Sequence, residues 1–129
     1  MKRLTKKQVI EMHHELCRQT GGMDGLRDEG LLESALAAPF QSFDGIDVYL
    51  TIEQKAARLG YGLTENHPFI DGNKRIGCHT MLVFLMLNGI DLSYSQQELA
   101  AVFWGVASGA VNYEELLVWV INHEVRKEQ

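Results

Sequence analysis

The sequence predicts an all-α fold, a bundle of short helices interrupted once, near residues 40–50, by an irregular segment or β-hairpin. Three observations carry that expectation. Apolar residues recur at helical spacing along nearly the whole chain. Ser/Thr-x-x-Gln/Glu segments, which begin helices, stand at the head of several of these apolar runs. Alternation with a period of two is missing outside the 40s.

The elements follow in order. Thr5-Lys6-Lys7-Gln8 is a capping box, in which the threonine oxygen and the glutamine side chain satisfy backbone N–H groups that have no helical partner. Val9, Met12, Leu16 and Cys17 share the next face until Gly21-Gly22 stops the run. Asp28 caps a second short helix through Leu31, Leu32, Ala35 and Leu36, ended by Pro39. From Phe40 to Leu50 there is no helical period, and Asp44-Gly45 marks a turn. Thr51-Ile52-Glu53-Gln54 opens a helix with Ile52, Ala56, Leu59 and Leu63 inward. It has to end by Asn66, because Pro68 pushes His67 out of the α region. Another helix runs from about Gly72 to Asn88, with Ile76, Thr80, Val83, Phe84 and Leu87 inward and Gly89 as its stop. Ser95-Gln96-Gln97-Glu98 begins the next, carrying Leu99, Val102, Phe103 and Val106 to Gly109. Asn112-Tyr113-Glu114-Glu115 opens the last, with Leu116, Leu117, Val120 and Ile121 apolar and Arg126 and Lys127 suited to its C-terminal dipole. No repeat, low-complexity segment or linker divides the chain, so residues 1–129 read as one domain.

Composition narrows the function classes. A chain of 129 residues is long enough to bury a core, and 46% hydrophobic with 22% charged residues is an ordinary globular balance. The net charge of −5 argues against a nonspecific nucleic-acid binder, which needs clustered excess Lys and Arg to displace counterions. The start of the chain lacks an apolar signal segment, and the longest apolar stretch, Met81 to Leu87, falls far short of a membrane span. Cys17 and Cys78 therefore read as reduced core thiols in a cytoplasmic protein.

The segment with chemistry in it is His67-Pro68-Phe69-Ile70-Asp71-Gly72-Asn73-Lys74-Arg75, between two strongly apolar helices. It enters a helix N-terminus near Gly72, where free N–H groups and the positive end of the dipole favour an anion such as phosphate. Gly72 lets that backbone come close, and Lys74 and Arg75 add positive charge beside it. Asp71 offers the hard oxygen that Mg²⁺ prefers. A histidine titrates near neutrality, so His67 can accept a proton from an attacking hydroxyl. On composition alone a plain reading stands beside this one: a polar connection capped by Asp71 or Asn73, with Lys74 and Arg75 solvated and Phe69 in the core. A His67–Asp71 metal pair is a third reading, opposed by Pro68, which prevents one continuous helix from presenting both.

The nine residues resemble the Fic/Doc signature, H-x-F-x-[D/E]-[G/A]-N-[G/K]-R, and match every specified position. Gly25-Leu26-Arg27-Asp28, the Gly30-Leu31-Leu32-Glu33-Ser34-Ala35-Leu36 stretch and Glu53-Gln54-Lys55-Ala56-Ala57 are similar to the death-on-curing (Doc) branch of that family, so the likeness covers most of residues 1–125. The resemblance implies a Fic/Doc-like helical bundle. It assigns His67 as the base that deprotonates a target hydroxyl, with Arg75 in the catalytic pair. It implies Phe69 as the core anchor of the loop, Asp71 as the Mg²⁺ ligand, and Gly72, Asn73, Lys74 and Arg75 as a phosphate cradle for ATP. The irregular segment near Asp44 to Leu50 falls where the family has a flap that pairs with the target's backbone.

AMP-transferring Fic proteins carry Gly where this chain has Lys74, and a second Arg where it has Cys78; Doc proteins resemble this chain at both. The resemblance therefore implies a Doc-type protein kinase and toxin, acting on a serine or threonine of a translation factor such as elongation factor Tu. Nucleotidyl transfer, or a silent relative that only binds a nucleotide or partner, is the alternative. The inhibitory pattern [S/T]-x-x-x-E-[G/N] of many Fic proteins is absent here, which implies a separate antitoxin as partner.

Other residues read as structural. His13 and His14 lie on a helix with no carboxylate or cysteine completing a ligand set, His79 reads as packing, and His123 as a solvated helix residue. Phe103, Trp104 and Trp119 fit helical core spacing, and Cys78 needs no function as a buried thiol.

Overall fold

A computed structural model describes residues 1–126. Six helices form: α1 (Lys6–Thr20), α2 (Glu29–Ala37), α3 (Ile52–Asn66), α4 (Asn73–Leu87), α5 (Gln96–Ser108) and α6 (Tyr113–Asn122). A 3-10 turn over Ala38–Phe40 and a small hairpin, β1 (Ser42–Phe43) and β2 (Ile46–Asp47), join α2 to α3. The expected all-α fold with a hairpin near 40–50 is what the chain adopts.

The starts are set by side chains. Thr5, Thr51, Ser95 and Asn112 each accept a hydrogen bond from the backbone three residues on, and the Gln or Glu at that position bonds back. Asp28 caps α2 through Leu31 N. In the hairpin Ser42 pairs with Asp47 and Phe43 with Ile46. Its turn, Asp44-Gly45, has positive φ at both residues (51° and 77°), the type I′ geometry whose twist matches paired strands. The buried Lys55 of α3 ties the hairpin down, donating to the Tyr49 carbonyl and to Asp47 Oδ2 at 3.4 Å.

α3 is the central helix, packed most extensively on α4 and also touching α2, α5 and α6. The α3–α4 crossing is close because two glycines meet there. A Cβ on Gly77 would lie 2.4 Å from Thr64 Oγ1 and 2.8 Å from the Gly60 carbonyl. All six helices feed one apolar cluster that includes Val9, Leu32, Leu63, Phe84, Phe103 and Leu116. No helix among the described residues is long and apolar enough to cross a membrane.

Several expectations need correction. Trp104 is 67% exposed, because adjacent helical positions point about 100° apart and Phe103 takes the inward direction. Met81 and Leu85 are buried where Val83 and Leu87 are only half-buried, and Ile121 is exposed. α6 ends at Asn122 because the chain then pairs Leu92 with Glu124, which carries Arg126 beyond the helix end. Lys127 lies outside the described residues. His123 is only partly solvated: it stacks on Trp119 with centroids 4.0 Å apart and bonds Glu98. Cys17 and Cys78 are free, Cys17 buried and Cys78 partly so, and burial pushes the Cys78 thiol up to about 11.

Candidate active site

The site begins where α3 stops. His67 closes the helix in the left-handed region (φ 49°, ψ 52°), a conformation that costs a non-glycine residue about 1–2 kcal/mol. Pro68 excludes right-handed α, as the sequence requires, but the outcome is left-handed and not extended. Two carbonyls at this turn are held by one side chain: Arg27 Nε donates to His67 O at 2.6 Å and Nη2 to Asn66 O at 3.1 Å. The His67 ring is exposed, and its Nδ1 meets the Glu65 carbonyl at 3.0 Å. A carbonyl only accepts, so Nδ1 carries the hydrogen of the neutral ring. Nε2 is left as the basic atom.

The loop that follows is gripped from both sides. Phe69 is buried and stacks on the buried His13 ring, centroids 3.8 Å apart and planes 11° from parallel. His13 Nε2 donates to the Asp71 carbonyl at 2.7 Å. Asn73 Oδ1 accepts from Phe69 N at 2.9 Å while its Nδ2 donates to Phe69 O at 3.0 Å. The segment before α2 runs alongside: Ile70 N donates to Gly25 O, and the N–H groups of Arg27 and Asp28 share the Pro68 carbonyl.

Asp71 projects from this loop. Oδ1 accepts from Gly72 N at 2.8 Å and Oδ2 from Met23 N at 3.2 Å, and these two backbone bonds hold its carboxyl below the usual carboxylate range. Gly72 then caps α4 at φ 77° with no side-chain hydrogen bond. The first N–H groups of α4 are therefore left for an outside acceptor. Arg75 Nη1 donates to Thr20 Oγ1 at 3.1 Å, and Lys74 Nζ rests 4.7 Å over the Trp104 ring. His67, Asp71, Gly72, Lys74 and Arg75 line a single cleft of about 360 Å³, with Thr64 and Ala107 among its other walls.

All six sequence-chosen residues thus border one cleft, and the Asn73 side chain is spent on closing the loop against Phe69. His79 faces a different hollow on the outer side of α4. His13 packs on Phe69 as read, but the expectation that no carboxylate or cysteine stands by it or by His14 is corrected. Cys17 Sγ lies 3.5 Å from His13 Nε2, Asp24 lies 3.6 Å from its Nδ1 and also bonds His14, and His13, Cys17 and Asp24 bring ligand atoms within 4.8 Å of one another. Sequence reasoning missed the roles of Arg27, His13 and Thr20. Arg27 stood within a family-like segment, but its target is a backbone carbonyl, which leaves no trace in side-chain spacing.

The Fic/DOC family matches residues 3–85. A protein named Toxin Doc from Mycolicibacterium smegmatis is 41% identical over 73 residues, 57% of this chain and 56% of that protein. A protein named Protein kinase doc from Escherichia phage P1 is 26% identical over 112 residues, 87% of each chain. The match to the mycobacterial relative thus spans little more than half of that relative's length.

Proposed function

The chain belongs to the Fic/DOC family, and from that premise we propose that it is a Doc-type toxin, a protein kinase that moves the γ-phosphate of ATP to a serine or threonine hydroxyl of another protein. The observation that carries this reading is the shared cleft. It unites a histidine whose basic Nε2 is unencumbered, an ionised carboxylate, and an uncapped helix N-terminus flanked by two cations. A plain helix connection has no need of that combination. The names of the two relatives, a toxin and a protein kinase, point the same way.

In the proposed step the target hydroxyl oxygen attacks the γ-phosphorus while its proton passes to His67 Nε2. The new O–P bond forms as the bond to the β-phosphate oxygen breaks, and the nucleoside diphosphate leaves. The N–H groups at the start of α4, with Lys74 and Arg75, orient the phosphates and offset their charge. Asp71 fits a Mg²⁺ ligand: it is exposed, ionised, and each oxygen has a lone pair beyond the one engaged by a backbone N–H. Mg²⁺ bound there would neutralise phosphate charge.

The target is proposed to be a translation factor such as elongation factor Tu, presented to the cleft by the β1–β2 hairpin, whose Phe43 and Ile46 are 75% and 67% exposed. An antitoxin with a short acidic segment is the partner proposed to cover the cleft, and the cytoplasm is the proposed setting. Parallel reactions with γ- and α-labelled ATP test the class. Label on a target protein from γ only supports phosphoryl transfer. Label from α means nucleotidyl transfer, and none from either, across a whole lysate and all four nucleotides, contradicts both.

A further inference from the structure

We propose that Arg27 is a positioning residue for His67, holding the end of α3 in the left-handed turn that frees Nε2 for proton transfer. The inference rests on the reading of His67 as the base. The turn at His67 is not self-supporting: a β-carbon is disfavoured there, and the last carbonyls of a helix have no backbone donors. Arg27 supplies both needs at once. Its fork spans two successive carbonyls, Asn66 and His67, at 3.1 and 2.6 Å, and its positive charge sits at the negative end of the α3 dipole. Neither bond reaches the imidazole, so the ring's Nε2 is untouched.

The fork is itself well anchored. The Arg27 and Asp28 N–H groups both donate to the Pro68 carbonyl, at 2.7 and 2.9 Å, and the Asp28 side chain caps α2. Asn66 Nδ2 donates back to Leu31 O at 3.1 Å. The start of α2 and the end of α3 are therefore fastened on both sides of the turn. Among the described residues Arg27 forms no salt bridge with a carboxylate, so backbone support is the role its contacts define. The Nδ1–H bond to Glu65 O exists only while His67 turns back over the helix end. Arg27 thereby fixes the tautomer as well as the position. A lysine in its place gives one ammonium without a planar fork and engages one carbonyl well.

The experiment compares wild type with Arg27→Ala, Arg27→Gln and Arg27→Lys, each checked for an unchanged helical spectrum. Long-range ¹H–¹⁵N spectra of the histidine rings read the neutral tautomer of His67 without any need for activity. Transfer kinetics with ATP and the target then separate kcat from KM. Arg27→Ala should move His67 from the Nδ1–H form toward the Nε2–H form. Its kcat should fall on the order of 10- to 100-fold, the scale of a misplacement near 1 Å, with KM for ATP within twofold. Arg27→Lys should recover part of both. If Arg27→Ala retains the Nδ1–H tautomer, the positioning role is overturned, whatever happens to kcat. A shifted tautomer with unaltered kcat overturns it too. If wild type transfers nothing, the reading of His67 as base fails, and the tautomer alone decides whether Arg27 sets the turn.

Discussion

His13 and Phe69 lie face to face, ring centroids 3.8 Å apart, and the same histidine donates from Nε2 to the carbonyl of Asp71. One buried ring on α1 thus grips the loop at two points, one apolar and one polar, on either side of Ile70.

Removing that ring should loosen the loop and weaken the fold together. His13→Ala leaves a cavity against Phe69 and a carbonyl without its donor, so it should destabilise the protein by about 2–4 kcal/mol. His13→Gln can keep a donor near the Asp71 carbonyl and should lose less. Urea denaturation monitored by circular dichroism measures both. Equal losses in the two variants would mean that the hydrogen bond contributes nothing and that packing alone counts.

Lys74 and Trp104 give a second test. In the structure the ammonium rests on the ring, and a phosphate in the cleft would compete for it. An exposed cation–π contact is worth about 0.5–1 kcal/mol. Trp104→Leu should therefore tighten inorganic phosphate or ATP binding by about two- to fivefold. In wild type, binding should change Trp104 emission, against the constant background of Trp119 in a Trp104→Leu control. Weaker binding by Trp104→Leu would show that the ring holds Lys74 in its working position instead.

His123 predicts a pH dependence away from the site. Its Nδ1 bonds the Trp119 carbonyl at 2.6 Å and its Nε2 bonds Glu98 at 2.7 Å. The Trp119 bond, aided by Glu98 and opposed by desolvation, raises the His123 pKa above its ordinary 6.5. The folded state therefore binds this proton more tightly than the unfolded chain. The resulting stability is fully present below about 6.5 and is lost as pH rises through the folded value. Melting temperatures of wild type and His123→Leu should differ most in mildly acidic buffer, and the difference should shrink in alkaline buffer. A difference that grows with pH contradicts the assignment.

Much of the fold was legible because local signals and the tertiary structure agree. The capping boxes at Thr5, Thr51 and Ser95 start helices where the sequence put them, and Asp44-Gly45 makes its turn. The failures are of two kinds. At Trp104 a helical period left the choice between adjacent residues open, and at Arg126 a long-range pairing of Leu92 with Glu124 ended the helix early. The motif loop named its residues but not their attachments. Asn73 turned inward, and the supports from Arg27, Met23 and His13 come from 40 or more positions away, all through main-chain atoms. Contacts to main-chain atoms leave no residue pattern to read.

In the proposed reaction His67 takes the target's proton in this cleft. The direct measurement is label transfer from γ-labelled ATP to the target, with wild type and His67→Gln at equal soluble concentration. General-base catalysis contributes about 10²–10⁴-fold, so His67→Gln should transfer label at least a hundredfold more slowly. ATP should still bind within about twofold of wild type, because the proposed seat of the phosphates is the start of α4 and not the imidazole. Transfer by His67→Gln at close to the wild-type rate would contradict the claim.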